Sequence, residues 1–228
     1  MTSLVTVDAG EAGPPARGNL VCDLDGVVYV SGTGVPGAGE VLAEADRRGY
    51  HVVFATNAPI RTREEVAAHF AATTGYPART EQVITAAMAA ALLLGPEGGP
   101  VLAIGEGGLG DTLAEAGLAL TSDPAVARAV VVGLDRQLTY DHLRRATQAM
   151  LGGARLIACN DDPTYPTETG LWPGGGAVVA AIATAAGRPA EVAGKPYAPM
   201  TSLLRRVLRP GPTWMVGDRP ETDLALGK

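Results

Sequence analysis

Short apolar runs recur along this chain at 20–22, 51–55, 101–104, 129–132, 155–158 and 213–216, and stretches with helical spacing separate them. Runs this short, apolar on both faces and closed by turn residues, read as core strands of a parallel sheet covered by helices. The spacing predicts helices over 38–48, 62–72, 81–94, 109–116, 140–151, 177–186 and 200–208, with a further short strand at 191–193. Gly49 and Gly187 close two of these helices, and Thr62 with Glu65 three places on fits a capping box. The alternation gives an α/β class, and at 46% hydrophobic residues a full core is expected. The alternation restarts near Thr80, which predicts a second parallel α/β unit. Residues 1–18, rich in Gly, Pro and Ala, read as a loose lead-in.

Open α/β sheets bind ligands outside the carboxyl ends of their strands, so the residues after each run matter most. The first run leads into Asp23-Leu24-Asp25-Gly26. In a strand, Asp23 and Asp25 would share one side, and two carboxylates that close imply a cation between them. The second run ends in Thr56-Asn57, where a hydroxyl and backbone N–H groups can donate to an anion. Gly194-Lys195-Pro196 follows the strand at 191–193 and sets a lysine at a strand end. Gly217-Asp218 follows the last run, with Asp223 five residues on. Taken singly, each has a plain alternative: a solvated turn, a helix cap, a loop lysine, a capping aspartate.

Composition narrows the function classes. The net charge is −6, from 18 Lys and Arg against 24 Asp and Glu, which argues against a nucleic-acid surface. A small anionic substrate stays compatible, since a metal and a local cation can neutralise it. Cys22 and Cys159 are expected as buried apolar residues in a reduced, cytoplasmic compartment. No leader pattern shows at the start, and the longest apolar stretches, 86–94 and 177–186, fall short of the ~18 residues of a membrane span. Two G-x-G-x-x-G matches, at 32–37 and 105–110, lack an acidic residue at a strand end ~20 positions on, so a dinucleotide site is not expected. His51, His69 and His142 share no ligand spacing with the cysteines.

The set Asp23-Leu24-Asp25-Gly26, Thr56-Asn57, Gly194-Lys195-Pro196 and Val216-Gly217-Asp218 through Thr222-Asp223, in this order, resembles the haloacid dehalogenase (HAD) superfamily of aspartyl phosphotransferases. Within it, the chain is similar to class IIA, the NagD-like and nitrophenyl-phosphatase branch. The segments 131–136, 158–162, 165–167 and 170–176 carry that finer likeness. The resemblance implies a Rossmann-like parallel-sheet core (the HAD fold) over 1–78 and 188–228, with a large C2-type α/β cap inserted at 79–187. It implies Asp23 as nucleophile and Asp25 as general acid and base. It implies Mg²⁺ held by Asp23, the backbone carbonyl of Asp25 and Asp218. Thr56, Asn57 and Lys195 would hold the phosphoryl oxygens, and Asp223 would orient Lys195 or metal-bound water. Cap residues Asn160, Asp161, Tyr165 and Gly175 would select the substrate. The expected partner is a small phosphorylated metabolite such as phosphoglycolate, glycerol phosphate, a sugar phosphate or a nucleoside monophosphate, with no nucleic acid or membrane; a homodimer is a family expectation.

Three departures accompany the likeness. Ala58 stands where the branch has a second Asn, Asn160-Asp161-Asp162 replaces Asn-Pro-Asp, and Lys228 falls in a helix that relatives continue into another strand. Asp25 favours a phosphatase over a dehalogenase, which needs no acid there. The alternative from another class is a catalytically silent HAD-fold protein that binds a phosphorylated ligand.

Overall fold

The computed structural model describes residues 17–30, 32–167 and 169–227. Most of the expected lead-in, residues 1–16, lies outside the described residues, as do Ser31, Glu168 and Lys228. In chain order the elements are β1 (Gly18–Cys22), β2 (Tyr29–Val30), β3 (Thr33–Gly34), α1 (Ala38–Arg47), β4 (Tyr50–Thr56), α2 (Arg63–Thr74), β5 (Val83–Thr85), α3 (Ala86–Leu94), β6 (Val101–Ile104) and α4 (Gly107–Glu115). There follow β7 (Ala129–Val132), α5 (Tyr140–Leu151), β8 (Arg155–Ala158), β9 (Thr164–Thr167), β10 (Gly170–Pro173), α6 (Gly175–Ala186), β11 (Glu191–Val192), α7 (Ala198–Val207) and β12 (Thr213–Val216).

One compact unit takes the described residues of 17–56, 63–85 and 195–227. Its sheet runs β12-β1-β4-β5, all parallel. Cys22 pairs with Phe54 on one side and Val216 on the other, so the carboxyl ends of the three strands stand level. Val52, Val53, Phe54 and Ala55 are each 1% exposed or less, because both faces of the strand are covered. On one face Phe54, Phe70 and Tyr76 form an aromatic cluster, Phe70 lying 4.5 Å from Phe54 and 5.7 Å from Tyr76 between ring centroids. At the β12 edge Trp214 and Val216 are exposed, and Trp214 packs edge-on against Tyr50.

Residues 83–85 depart from the helix expected over 81–94. Val83-Ile84-Thr85 is a β-branched run, and pairing with Phe54, Ala55 and Thr56 draws it into the sheet. Gln82, just before it, donates its amide to the Val52 carbonyl at 3.0 Å and pins the register.

The second unit comprises Asn57–Thr62 and Ala86–Gly194. Its own parallel sheet runs β11-β8-β7-β6, with every residue of β7 fully buried. Ala146, Ala149 and Met150 of α5 and Val178 and Ile182 of α6 pack onto it. The antiparallel hairpin β9–β10 was not expected from the sequence. Among the described residues no helix is long and apolar enough to cross a membrane. Both cysteines are free and buried, and burial pushes each thiol up to about 12, too high for a nucleophile at neutral pH.

Candidate active site

The site grows from the end of β1. Asp23 continues the ladder by one residue, donating its N–H to the Val216 carbonyl at 2.8 Å. Its Oδ1 accepts the Leu24 N–H at 2.8 Å and lies 2.7 Å from the Lys195 ammonium. That ammonium lies equally close, 2.7 Å, to Oδ1 of Asp223. Lys195 is 2% exposed and Asp223 fully buried, so the lysine is clamped between two carboxylates away from water. The second oxygen of Asp223 accepts the Arg219 N–H at 3.1 Å, which fixes the carboxylate's rotation.

Asp218 completes the cluster. One oxygen from each of Asp23, Asp218 and Asp223 lies within 4.8 Å of the others. Two glycines make room for this. A Cβ at Gly26, whose φ is +88°, would overlap the Asp218 carboxylate, and a Cβ at Gly217 would overlap Asp223. Three carboxylates, with one lysine paired to two of them, leave surplus negative charge. Burial pushes the Asp23 carboxyl up to about 6, with Lys195 pulling it down and Asp223 pushing it up. Hard oxygen donors this close, with uncompensated charge, fit a divalent cation.

Thr56 ends β4 beside β1, at the same carboxyl edge, and is 2% exposed. Asp25 is exposed in the turn after β1, and its carboxylate is outside the cluster formed among the described residues; the ligand expected from it is its backbone carbonyl. The structure thus brings Asp23, Lys195, Asp218 and Asp223 together, with Thr56 and Asp25 on the same sheet edge.

The residues expected to select substrate sit in the second unit. Asn160 is 6% exposed, donates Nδ2 to the Asn57 carbonyl at 2.8 Å and accepts the Asp162 N–H at 3.3 Å. Asp161 is exposed, and Tyr165 is half-buried near enough to Arg136 to interact with its charge. Gly175 is buried: a Cβ there would stand 2.9 Å from Oδ1 of Asn160, while one at Gly174 or Gly176 would overlap the Asp162 or Asp161 carbonyl. The three glycines let the 160–162 turn lie across the start of α6. The G-x-G-x-x-G match at 105–110 has a similar origin. Glu106 precedes α4 and takes Arg136 in two hydrogen bonds of 2.6 Å, and a Cβ at Gly108 would overlap the Arg61 backbone.

The chain is 38% identical over 222 residues to chronophin of Mus musculus, covering 91% of this chain and 76% of that protein. Residues 20–119 match the family model described as haloacid dehalogenase-like hydrolase. The chain belongs to the haloacid dehalogenase-like hydrolases. A second HAD-hydrolase-like model matches residues 192–228, the part that carries Lys195, Asp218 and Asp223. Among solved structures of this family, a double mutant of a thermostable NPPase from Geobacillus stearothermophilus superposes with a TM-score of 0.85 at 35% identity, covering 94% of this chain and 85% of that one. A glycerol phosphate phosphatase from Mycobacterium tuberculosis in complex with magnesium superposes with a TM-score of 0.81 at 36% identity, covering 92% of this chain and 66% of that one. The likeness runs to the class IIA branch of the HAD hydrolases, as the cap segments imply.

Proposed function

We propose that this HAD hydrolase is a magnesium-dependent phosphatase of small phosphate monoesters that works through an aspartyl phosphate on Asp23. The observation that carries the reading is the clamp of Lys195 between Asp23 and Asp223, with Asp218 alongside, at the carboxyl edge of the sheet. A carboxylate attacks a dianionic ester only where charge is neutralised and the nucleophile is held still. Lys195 opposes the effect of burial on Asp23 and holds it in place, and the hydrogen bond from Leu24 N–H leaves its other oxygen to attack.

In the first half-reaction an Asp23 oxygen forms a bond to phosphorus as the ester P–O bond breaks. Asp25 gives its proton to the departing alkoxide. In the second, Asp25 takes a proton from water, the water oxygen bonds to phosphorus, and the bond to Asp23 breaks to release phosphate. Thr56 donates its hydroxyl to a phosphoryl oxygen, with the Asn57 backbone beside it. Asp23, Asp218 and the Asp25 carbonyl would hold Mg²⁺, which supplies Lewis-acid neutralisation of the phosphoryl oxygens. Asp223 turns Lys195 toward Asp23.

The substrate class this supports is a small phosphate monoester, among them glycerol phosphate, phosphoglycolate, sugar phosphates and nucleoside monophosphates. Relatives named as phosphatases support the same class. Hydrolysis of 4-nitrophenyl phosphate with and without Mg²⁺ tests it. Turnover that needs the metal supports a phosphatase; no turnover in either condition, with phosphate still bound, indicates a silent binding protein.

A further inference from the structure

We infer that Asn160 is a positioning residue for phosphate binding, acting through the backbone of Asn57, and does not select the substrate; this rests on the phosphatase reading above. Three segments of the second unit, at Asn57, at 159–162 and at Gly194, meet around it. Its amide donates to the Asn57 carbonyl at 2.8 Å, and its carbonyl oxygen accepts the Asp162 N–H at 3.3 Å. Gly194 lies against the same knot: a Cβ there would overlap the Cys159 carbonyl and stand 2.5 Å from Oδ1 of Asn57. A side chain 6% exposed, with its oxygen and one amide hydrogen committed inside the protein, has little left to offer a ligand.

The position of this knot in the chain gives it its consequence. Asn57 directly follows Thr56, and Gly194 directly precedes Lys195. Thr56 and Lys195 are therefore each one peptide bond from a residue of the knot, and Asn57, whose backbone is proposed to stand beside the phosphoryl group, is held in it directly. Gly175 belongs to the same device, since a side chain there would press on Oδ1 of Asn160.

The test compares N160A and N160D with wild type in the presence of Mg²⁺, measuring kcat/KM for a panel of phosphate monoesters, the inhibition constant of inorganic phosphate, and thermal melting. N160D keeps an acceptor for the Asp162 N–H but has no donor for the Asn57 carbonyl, so it separates the two bonds. The expected result is a loss of about 10- to 100-fold in kcat/KM in both variants, by one common factor for every ester, as misplacement near 1 Å produces. Phosphate inhibition weakens in parallel, and melting shows a folded protein. Changed substrate ratios with unchanged phosphate inhibition would make Asn160 a selector and overturn the inference. Full activity in N160D would reduce its role to shaping the 160–162 turn, and unchanged activity in both variants would dismiss it. If wild type itself neither hydrolyses esters nor binds phosphate, the phosphatase reading fails before any variant is needed, and this inference falls with it.

Discussion

The ammonium of Lys195 stands 2.7 Å from the carboxylate of Asp23, and both are shut off from water. The lysine is reached by a chain that has meanwhile built a whole second unit, yet it lands between Asp23, which follows β1, and Asp223, in the helical turn after β12. A buried ion pair adds little net stability over an apolar replacement, but removing one partner leaves an uncompensated charge. Lys195→Met should therefore abolish turnover and lower stability by about 3–5 kcal/mol, read by urea unfolding. Lys195→Arg should restore neither, since a planar fork does not fit a point-charge clamp. Wild-type stability in Lys195→Met would show the clamp to be loose.

The raised pKa of Asp23 sets a pH dependence in metal-free protein. Burial moves the carboxyl from an ordinary 3.8 to about 6, so between those values the folded state binds more protons than the unfolded one. Stability then falls as pH rises through that window, by about 3 kcal/mol for a shift of this size. In chelator-treated protein, Asp23→Asn should be more stable than wild type above pH 6, and the gap should close below about pH 4. Adding Mg²⁺ should favour wild type, because the ion binds its folded state more tightly than that of the variant. A variant less stable than wild type at pH 7 without metal would reverse the electrostatic account.

Gly26 tests the geometry of the metal site without touching a ligand. Its positive φ and the Asp218 carboxylate beside it leave no space for a methyl group. Gly26→Ala should weaken Mg²⁺ binding, measured by calorimetry, by about 10- to 100-fold while the far-UV spectrum is kept. Unchanged affinity would mean that Asp218 is not needed where it stands.

Asp25 is expected to bind metal through its backbone and to act chemically through its side chain. Asp25→Asn should retain Mg²⁺ affinity and lose about 10²- to 10⁴-fold in kcat, the usual effect of a missing general acid and base. Collapse of metal affinity with little change in kcat would exchange those roles.

How far the sequence carried this reading depends on where the information lies. The strands β1 and β4 were legible because their apolar runs stop abruptly at Asp23 and Thr56, and β12 because its run stops at Gly217-Asp218; these polar residues belong to the candidate site. The strand β5 was hidden because Val83-Ile84-Thr85 runs straight into the apolar α3, and only pairing with β4 separates them. The hairpin β9–β10 was masked by Pro166 and Pro173, which interrupt a strand pattern. A Cβ at Gly174, Gly175 or Gly176 would meet the 160–162 turn, a relation that spacing along the chain does not encode. The pairing of Asp223 with Lys195 was expected only through the family resemblance, and the atoms that meet are 28 residues apart.

Asp23 as the residue that carries the phosphoryl group can be tested on the bond itself. Protein quenched during turnover and treated with borohydride converts an acyl phosphate to an alcohol, and peptide mass spectrometry locates it. The expected result is substrate-dependent conversion of Asp23 to homoserine, lost in Asp23→Asn. Conversion at another acid, or turnover with no modified residue, would contradict the account.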